Sequence, residues 1–146
     1  MTALADPEAV VAAARSWLGT PYHDQQSLRG VGCDCLGLAR GVWREVVGPE
    51  PQPVPRYSRG WGEVGPREVL AEGALRWMVP VPLESLGAGV LVLFRMRARA
   101  VAKHCGIMTG PDRFVHAYER VGVLEQLLTE TWRRRIAFAF AYPGRG

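Results

Sequence analysis

Two cysteines bracket one aspartate in "GVGCDCLGLARGVWREV", residues 30–46, directly ahead of a helix-like apolar pattern. The chain holds three cysteines, Cys33, Cys35 and Cys105, and three histidines, His23, His104 and His116. A disulfide, a metal site and a thiolate nucleophile are the chemistries open to such residues. A Cys33–Cys35 disulfide would close a very small, strained ring that a reducing compartment does not retain. A metal site drawing on Cys33, Cys35, His104, Cys105 and His116 departs from the usual zinc spacing of two to four residues between cysteines. The third reading places Cys35 in the first turn of a helix capped by Asp34, where unpaired amides and the helix dipole stabilise a thiolate. A buried apolar cysteine at a helix start is the plain alternative to it, unless a base is in reach.

Such a base is available in the second half of the chain. "HCGIM" at 104–108 and "RFVHAY" at 113–118 alternate like strands, and the intervening "TGPD" reads as a hairpin turn. With an odd-length loop, even-numbered residues of both strands face the same way, so His104 and His116 become neighbours, directly opposite or diagonal. A thiol, a base and a group orienting the base form the general arrangement of nucleophilic catalysis. The chain contains no asparagine. The third member is therefore another polar residue, and His116 is the best placed. His23 reads as an ordinary core or surface histidine.

The elements that would carry these residues follow from the pattern. Asp6-Pro7-Glu8 starts a helix, with Val10, Val11, Ala14, Trp17 and Leu18 at helical spacing and Gly19 as the stop. The second helix places Cys35, Leu38, Ala39, Val42 and Val46 on one face. Residues 48–66, with prolines at 49, 51, 53, 55 and 66, read as a long loop, whose Tyr57 and Trp61 would line a groove or docking surface unless they tuck onto the core. A short helix covers Pro66 to Trp77. Strands follow at 90–94, 104–108, 113–118, 122–126 and 136–142, the last with Ile136, Phe138, Phe140 and Tyr142 on one face. Helices first and consecutive strands later predict an α+β domain with an antiparallel sheet, a single unit over 1–146.

At 146 residues, 48% hydrophobic and 22% charged, the composition is that of a soluble globular domain. The net charge of +4 rests on arginine, Lys103 being the only lysine, and fits an acidic polymer such as a nucleic acid or an anionic wall without selecting one. "GWGEVG" at 60–65 matches a dinucleotide fingerprint, but the preceding "PQPVPRYSR" cannot be a buried parallel strand, so the glycines are read as loop. The N-terminus carries acids where a secretory signal has a basic segment, and the longest apolar run, Val90 to Phe94, is too short to span a bilayer. The expectation is a chain made in the cytoplasm without a signal peptide or membrane span.

"DCLGL" opening a helix, "KHCGIM" beginning a strand and "FVHAYERVGVLE" after it resemble the NlpC-type papain-like peptidases of bacterial cell walls. Within that superfamily, "TPYHDQQSLRGVGCDCLGLARGVWREV" and "TWRRRIAFAFAYPGR" are most similar to the peptidases encoded with tail genes of prophages and gene transfer agents. The resemblance implies a papain-like fold with N-terminal helices packed on a central antiparallel sheet. It implies Cys35 as nucleophile, His104 as general base, His116 as the residue orienting it, and Tyr22 behind the nucleophile polarising the scissile carbonyl. It further implies peptidoglycan stem peptides as substrate, phage-like tail or hub proteins as partners, action on the wall from a tail particle, no nucleic acid, and no cofactor or metal. One departure is "GAGVLVLF", which lacks the aspartate such peptidases usually carry before the first sheet strand; the expected consequence is local. No role carries onto Cys33 or Cys105. A tail component without turnover, a cell-wall amidase, an acyltransferase and a metal-binding module remain as alternatives.

Overall fold

Asp6 accepts a hydrogen bond from the Glu8 amide at 3.1 Å, and Pro7 occupies the first helical position, so α1 runs Pro7–Arg15. The computed structural model describes residues 3–51 and 67–145. The chain then turns over 16–19, with Gly19 at φ +85°, and forms a small hairpin of β1 (Ser27–Leu28) and β2 (Gly32–Cys33). Next come α2 (Cys35–Val46), α3 (Val69–Trp77) and β3 (Val79–Pro80). A 3-10 turn at Leu83–Ser85 leads into β4 (Val90–Phe94), β5 (His104–Met108), β6 (Arg113–Tyr118) and β7 (Gly122–Leu127). The chain closes with α4 (Glu130–Arg135) and β8 (Ile136–Ala141).

Six strands form one antiparallel sheet in the order β3-β8-β4-β5-β6-β7, the α+β architecture expected from the sequence. Every residue of β4 is buried, as a central strand covered on both faces requires. One face carries α1, α2 and α3 over a core that includes Val10, Trp17, Leu38, Val42, Leu93, Ile107, Val115 and Phe140. The other face holds a smaller cluster of Val92, Phe94, Met108 and Phe114 beneath Trp132 of α4. Pro80 sits in an edge strand, where a missing N–H is tolerated.

Three expectations are corrected. The first helix ends at Arg15, so Trp17 and Leu18 lie in the following turn; Trp17 still reaches the core, but Leu18 is exposed. The third helix begins at Val69 rather than Pro66, after Glu68 diverts its carboxylate to Arg95 and the Ala102 amide. In β8 the register slips opposite Leu93 and Phe94, leaving Ala137 as an extra residue. The bulge sends Ile136 to the α4 side, whereas Phe138, Phe140 and Tyr142 pack on the α2 side. The proline-rich stretch from residue 52, with Tyr57, Trp61 and "GWGEVG", lies outside the described residues.

The α1–α2 approach depends on a missing side chain. A Cβ at Gly41 would lie 2.0 Å from Cζ2 of the buried Trp17 ring. Gly41→Ala therefore loses more to overpacking, about 1–3 kcal/mol, than the ~1 kcal/mol alanine returns in helix propensity. At Gly73 in α3 no described atom beyond the neighbouring residues and the helix's own backbone lies within 4 Å of the same added carbon. Thermal unfolding should show Gly41→Ala melting below the parent and Gly73→Ala at or above it; equal melting temperatures for both variants would contradict the packing described.

Candidate active site

The segment before α2 is held by the backbone on one side and by Asp34 on the other. The Cys33 amide donates to the Pro21 carbonyl and the His23 amide to the Cys33 carbonyl, each at 3.0 Å, so Tyr22 pairs with Cys33 beside the helix start. Asp34 is buried and accepts from the Gly37 amide and the Gln25 amide, both at 2.7 Å. One carboxylate thus caps α2 and fixes the preceding turn. Cys35 becomes the first residue of α2, half-buried, with its Sγ 3.6 Å from the Lys103 carbonyl oxygen.

The strands bring up the histidines as the hairpin parity requires. Ile107 pairs with Val115 and Met108 with Phe114, so even-numbered residues of β5 and β6 share a face. His104 Nε2 and His116 Nδ1 are 2.8 Å apart. Gly106 lies between them on that face: a Cβ there would meet Cδ2 of Phe114 at 2.9 Å and Cβ of His116 at 3.2 Å. A side chain at 106 would crowd the Phe114 ring and the base of the His116 side chain. Trp132 stacks edge-on to His116, with ring centroids 5.1 Å apart, and lies 5.9 Å from His104, shielding the pair from water.

The electrostatics divide the three cysteines. Cys35 is held well below the ordinary thiol value: a Cys105 hydrogen bond is the largest cause, burial opposes it, and the His104 side chain adds a hydrogen bond and charge attraction. Because His104 Nε2 is engaged with His116, Nδ1 is the nitrogen left for the sulfur. Cys105 is buried, its Sγ 3.3 Å from the Cys35 carbonyl oxygen, and is pushed well up by its bond to Cys35 and by burial. Burial with the neighbouring Asp34 and Cys35 pushes Cys33 up to about 12. Tyr22 is also raised, by burial first and then by the Cys35 and Asp34 charges, so its hydroxyl stays a donor. Burial, reinforced by the His104 charge and opposed by a hydrogen bond to Gln126, lowers His116 to about 4.

The structure therefore gathers Cys35, His104, His116 and Tyr22 around the start of α2, and leaves His23 exposed in the turn before β1. All three cysteines are free thiols, and among the described residues no group of three or more His, Cys, Asp or Glu side chains could hold a metal ion. No described helix is long and apolar enough to cross a membrane. Sequence reasoning missed Gln126, whose Oε1 lies 2.7 Å from His116 Nε2, and Trp132. The first had a signal: His116 pairs with Leu124 and Phe114 with Gln126, so the parity that joined the histidines extends through the next hairpin. Trp132 sits in a six-residue helix with no periodic signature.

Comparison with known proteins places this geometry on a recognised scaffold. No family model matches the chain. It is 32% identical over 120 residues to the murein DD-endopeptidase MepS/murein LD-carboxypeptidase of Escherichia coli strain K12, an alignment covering 82% of this chain and 54% of that protein. The chain thus spans about half the length of the curated relatives it matches. Among solved structures, the NlpC/p60 domain of peptidoglycan hydrolase SagA superposes with a TM-score of 0.65 at 24% identity, covering 92% of this chain and 97% of that domain. An NLP/P60 family protein from Staphylococcus aureus gives 0.63 at 21% identity, covering 95% and 43%. The peptidoglycan hydrolase RipB of Mycobacterium tuberculosis gives 0.54 at 19%, covering 92% and 63%. The fold is the papain-like fold of NlpC/P60 domains.

Two outcomes test the site's electrostatics. Iodoacetamide at mildly acidic pH should modify Cys35 well before Cys33 or Cys105, read by peptide mapping; Cys33 labelled first would contradict the assignment. His116 has a folded pKa below its unfolded value of about 6.5, so between roughly pH 6.5 and 4 the unfolded chain binds the extra proton. Stability on this account is fully present above that window and falls as pH drops through it, by about 3 kcal/mol in all. His116→Asn should flatten that slope in denaturant titrations; an unchanged slope would place the titration elsewhere.

Proposed function

We propose that this chain is a cysteine peptidase of the NlpC/P60 type that hydrolyses an amide bond in the stem peptides of peptidoglycan. The observation that carries the reading is the joined array of Cys35, His104 and His116: a depressed thiol at a helix N-terminus, an imidazole on its sulfur, and a second imidazole 2.8 Å behind the first. Two likenesses support the substrate. A relative at 32% identity is a murein DD-endopeptidase and LD-carboxypeptidase, and a structural neighbour is the NlpC/p60 domain of a peptidoglycan hydrolase.

In this reading the Cys35 thiolate attacks the scissile carbonyl carbon and forms a thioester as the carbon–nitrogen bond breaks. His104, protonated at Nδ1 by the thiol, returns that proton to the departing amine. Water then attacks the thioester with His104 as base, releasing the acid and restoring the thiol. The oxyanion is met by the Cys35 amide in the first turn of α2 and by the Tyr22 hydroxyl, which its surroundings keep protonated. Carriage on a phage-like tail, and action on the wall from that particle, form a separate part of the proposal. It rests on the likeness of "TPYHDQQSLRGVGCDCLGLARGVWREV" and "TWRRRIAFAFAYPGR" to tail-encoded peptidases. Co-sedimentation of the chain with tail particles tests it, and a chain left wholly in the unbound fraction counts against it.

Mass spectrometry of purified peptidoglycan after digestion tests the activity. The parent protein should release shortened stem peptides, and Cys35→Ala should release none above background. His104→Ala should fall to near background, whereas His116→Ala should keep measurable turnover, since a residue that orients the base costs less than the base. Free intact stems and bare sugar chains would instead mean cleavage of the sugar–peptide amide. Undiminished products from Cys35→Ala would refute the mechanism.

A further inference from the structure

The array does not end at His116. Three adjacent strands, β5, β6 and β7, each place one polar side chain on the same face, and they form a line: His104 Nε2 to His116 Nδ1 at 2.8 Å, then His116 Nε2 to Gln126 Oε1 at 2.7 Å. The tautomer of an imidazole inside this line is coupled to which neighbour donates and which accepts. His116 is fully buried, and with burial lowering it to about 4 it is neutral at ordinary pH, carrying one N–H and one lone pair. We propose that Gln126 is a positioning residue that fixes the protonation pattern of the histidine pair: its carbonyl oxygen holds the His116 proton on Nε2, which keeps Nδ1 an acceptor for His104.

The consequence falls on the nucleophile. When the thiol proton moves from Cys35 Sγ to His104 Nδ1, the new imidazolium carries an N–H on Nε2 as well, and this needs an acceptor. His116 Nδ1 supplies one only in the tautomer that Gln126 selects; the other tautomer would set two N–H groups against each other and disfavour the ion pair. No proton passes to His116. An amide suits this position better than a carboxylate in one respect, because it accepts the hydrogen bond without adding charge that would draw His116 into titration. Among the described residues, ionisable groups near the pair include Cys35 at α2, Lys103 and Cys105 on either side of His104, and Tyr118 on β6, whose ring centroid lies 5.2 Å from that of His116. Arg135 of α4 lies over the Trp132 ring, and Glu125, next along β7, is engaged by Arg15, Thr109 and Arg113.

The inference rests on the Cys–His reading of the site, so its test uses ring protonation and thiol reactivity, not wall digestion. Long-range proton–nitrogen NMR of the parent protein should show His116 protonated at Nε2; a proton on Nδ1 overturns the proposal without any variant. The pH profile of Cys35 alkylation by iodoacetamide should shift upward by about one unit in Gln126→Leu, a roughly tenfold slower reaction on the acid limb. Gln126→Glu, which keeps an acceptor but adds a charge, should leave the acid limb at or slightly above that of the parent, well short of a one-unit shift. A merely structural glutamine would lower the melting temperature of the variants and leave the profiles in place, and that result overturns the proposal. Should Gln126→Leu fail to fold, the parent spectrum and the Gln126→Glu profile decide it. A protein that gives the expected spectrum and profiles but leaves stem peptides intact would refute the proposed function alone.

Discussion

The docking of the α2 N-terminus against the start of β5 is the contact on which the proposed chemistry depends. It is made by polar groups that the fold has already removed from water. Asp34 spends both carboxylate oxygens on backbone amides, the Cys105 thiol lies against the Cys35 carbonyl, and the Tyr142 hydroxyl donates to the Ala39 carbonyl at 2.8 Å. A buried carboxylate left with one unfilled oxygen would cost several kcal/mol, so the turn and the helix cap form together or not at all. The backbone of Cys35 is therefore held against the start of β5 by contacts that do not involve its own sulfur.

The second requirement is that the two imidazoles sit in unlike surroundings. His104 lies half-buried at the mouth of β5, while His116, on the neighbouring β6, is buried beside Trp132 and Phe114. Burial is the largest of the causes that set His116 apart, with the His104 charge adding to it and the Gln126 hydrogen bond opposing it. The loop before β5 is pinned from outside the site: Glu68 receives the Arg95 guanidinium and the Ala102 amide, two residues ahead of His104. On the far side Arg15 grips Glu125 with two hydrogen bonds, at 3.0 and 2.9 Å, tying the end of α1 to the strand that carries Gln126. An exposed pair of this kind adds at most about 1 kcal/mol. Its value here is register.

Much of this was legible in the sequence where one local rule decides the outcome. The cap at Asp34, the place of Cys35 in the first turn, and the even-residue pairing of His104 with His116 all follow from turn chemistry and strand parity. The same parity contained Gln126, one hairpin further on. What escaped depends on contacts between distant segments. The β8 bulge that turns Ile136 away from Phe138 answers to its neighbour β4, and Trp132 reaches the histidines only because a six-residue helix crosses the sheet there. The pairing of Tyr22 with Cys33 is likewise a tertiary bridge, and the resemblance alone pointed to that tyrosine.

The claim at the centre of the account is that the Cys35 sulfur becomes acylated by a peptidoglycan stem peptide. The direct measurement is intact-protein mass spectrometry on the parent chain mixed with a purified stem-peptide substrate and quenched in acid before the first turnover is complete, followed by peptide mapping. The account predicts a transient adduct with the mass of the acyl fragment, located on Cys35 as a thioester and released by hydroxylamine. An adduct on another residue, or product appearing with no acylated protein at any quench time, would contradict it.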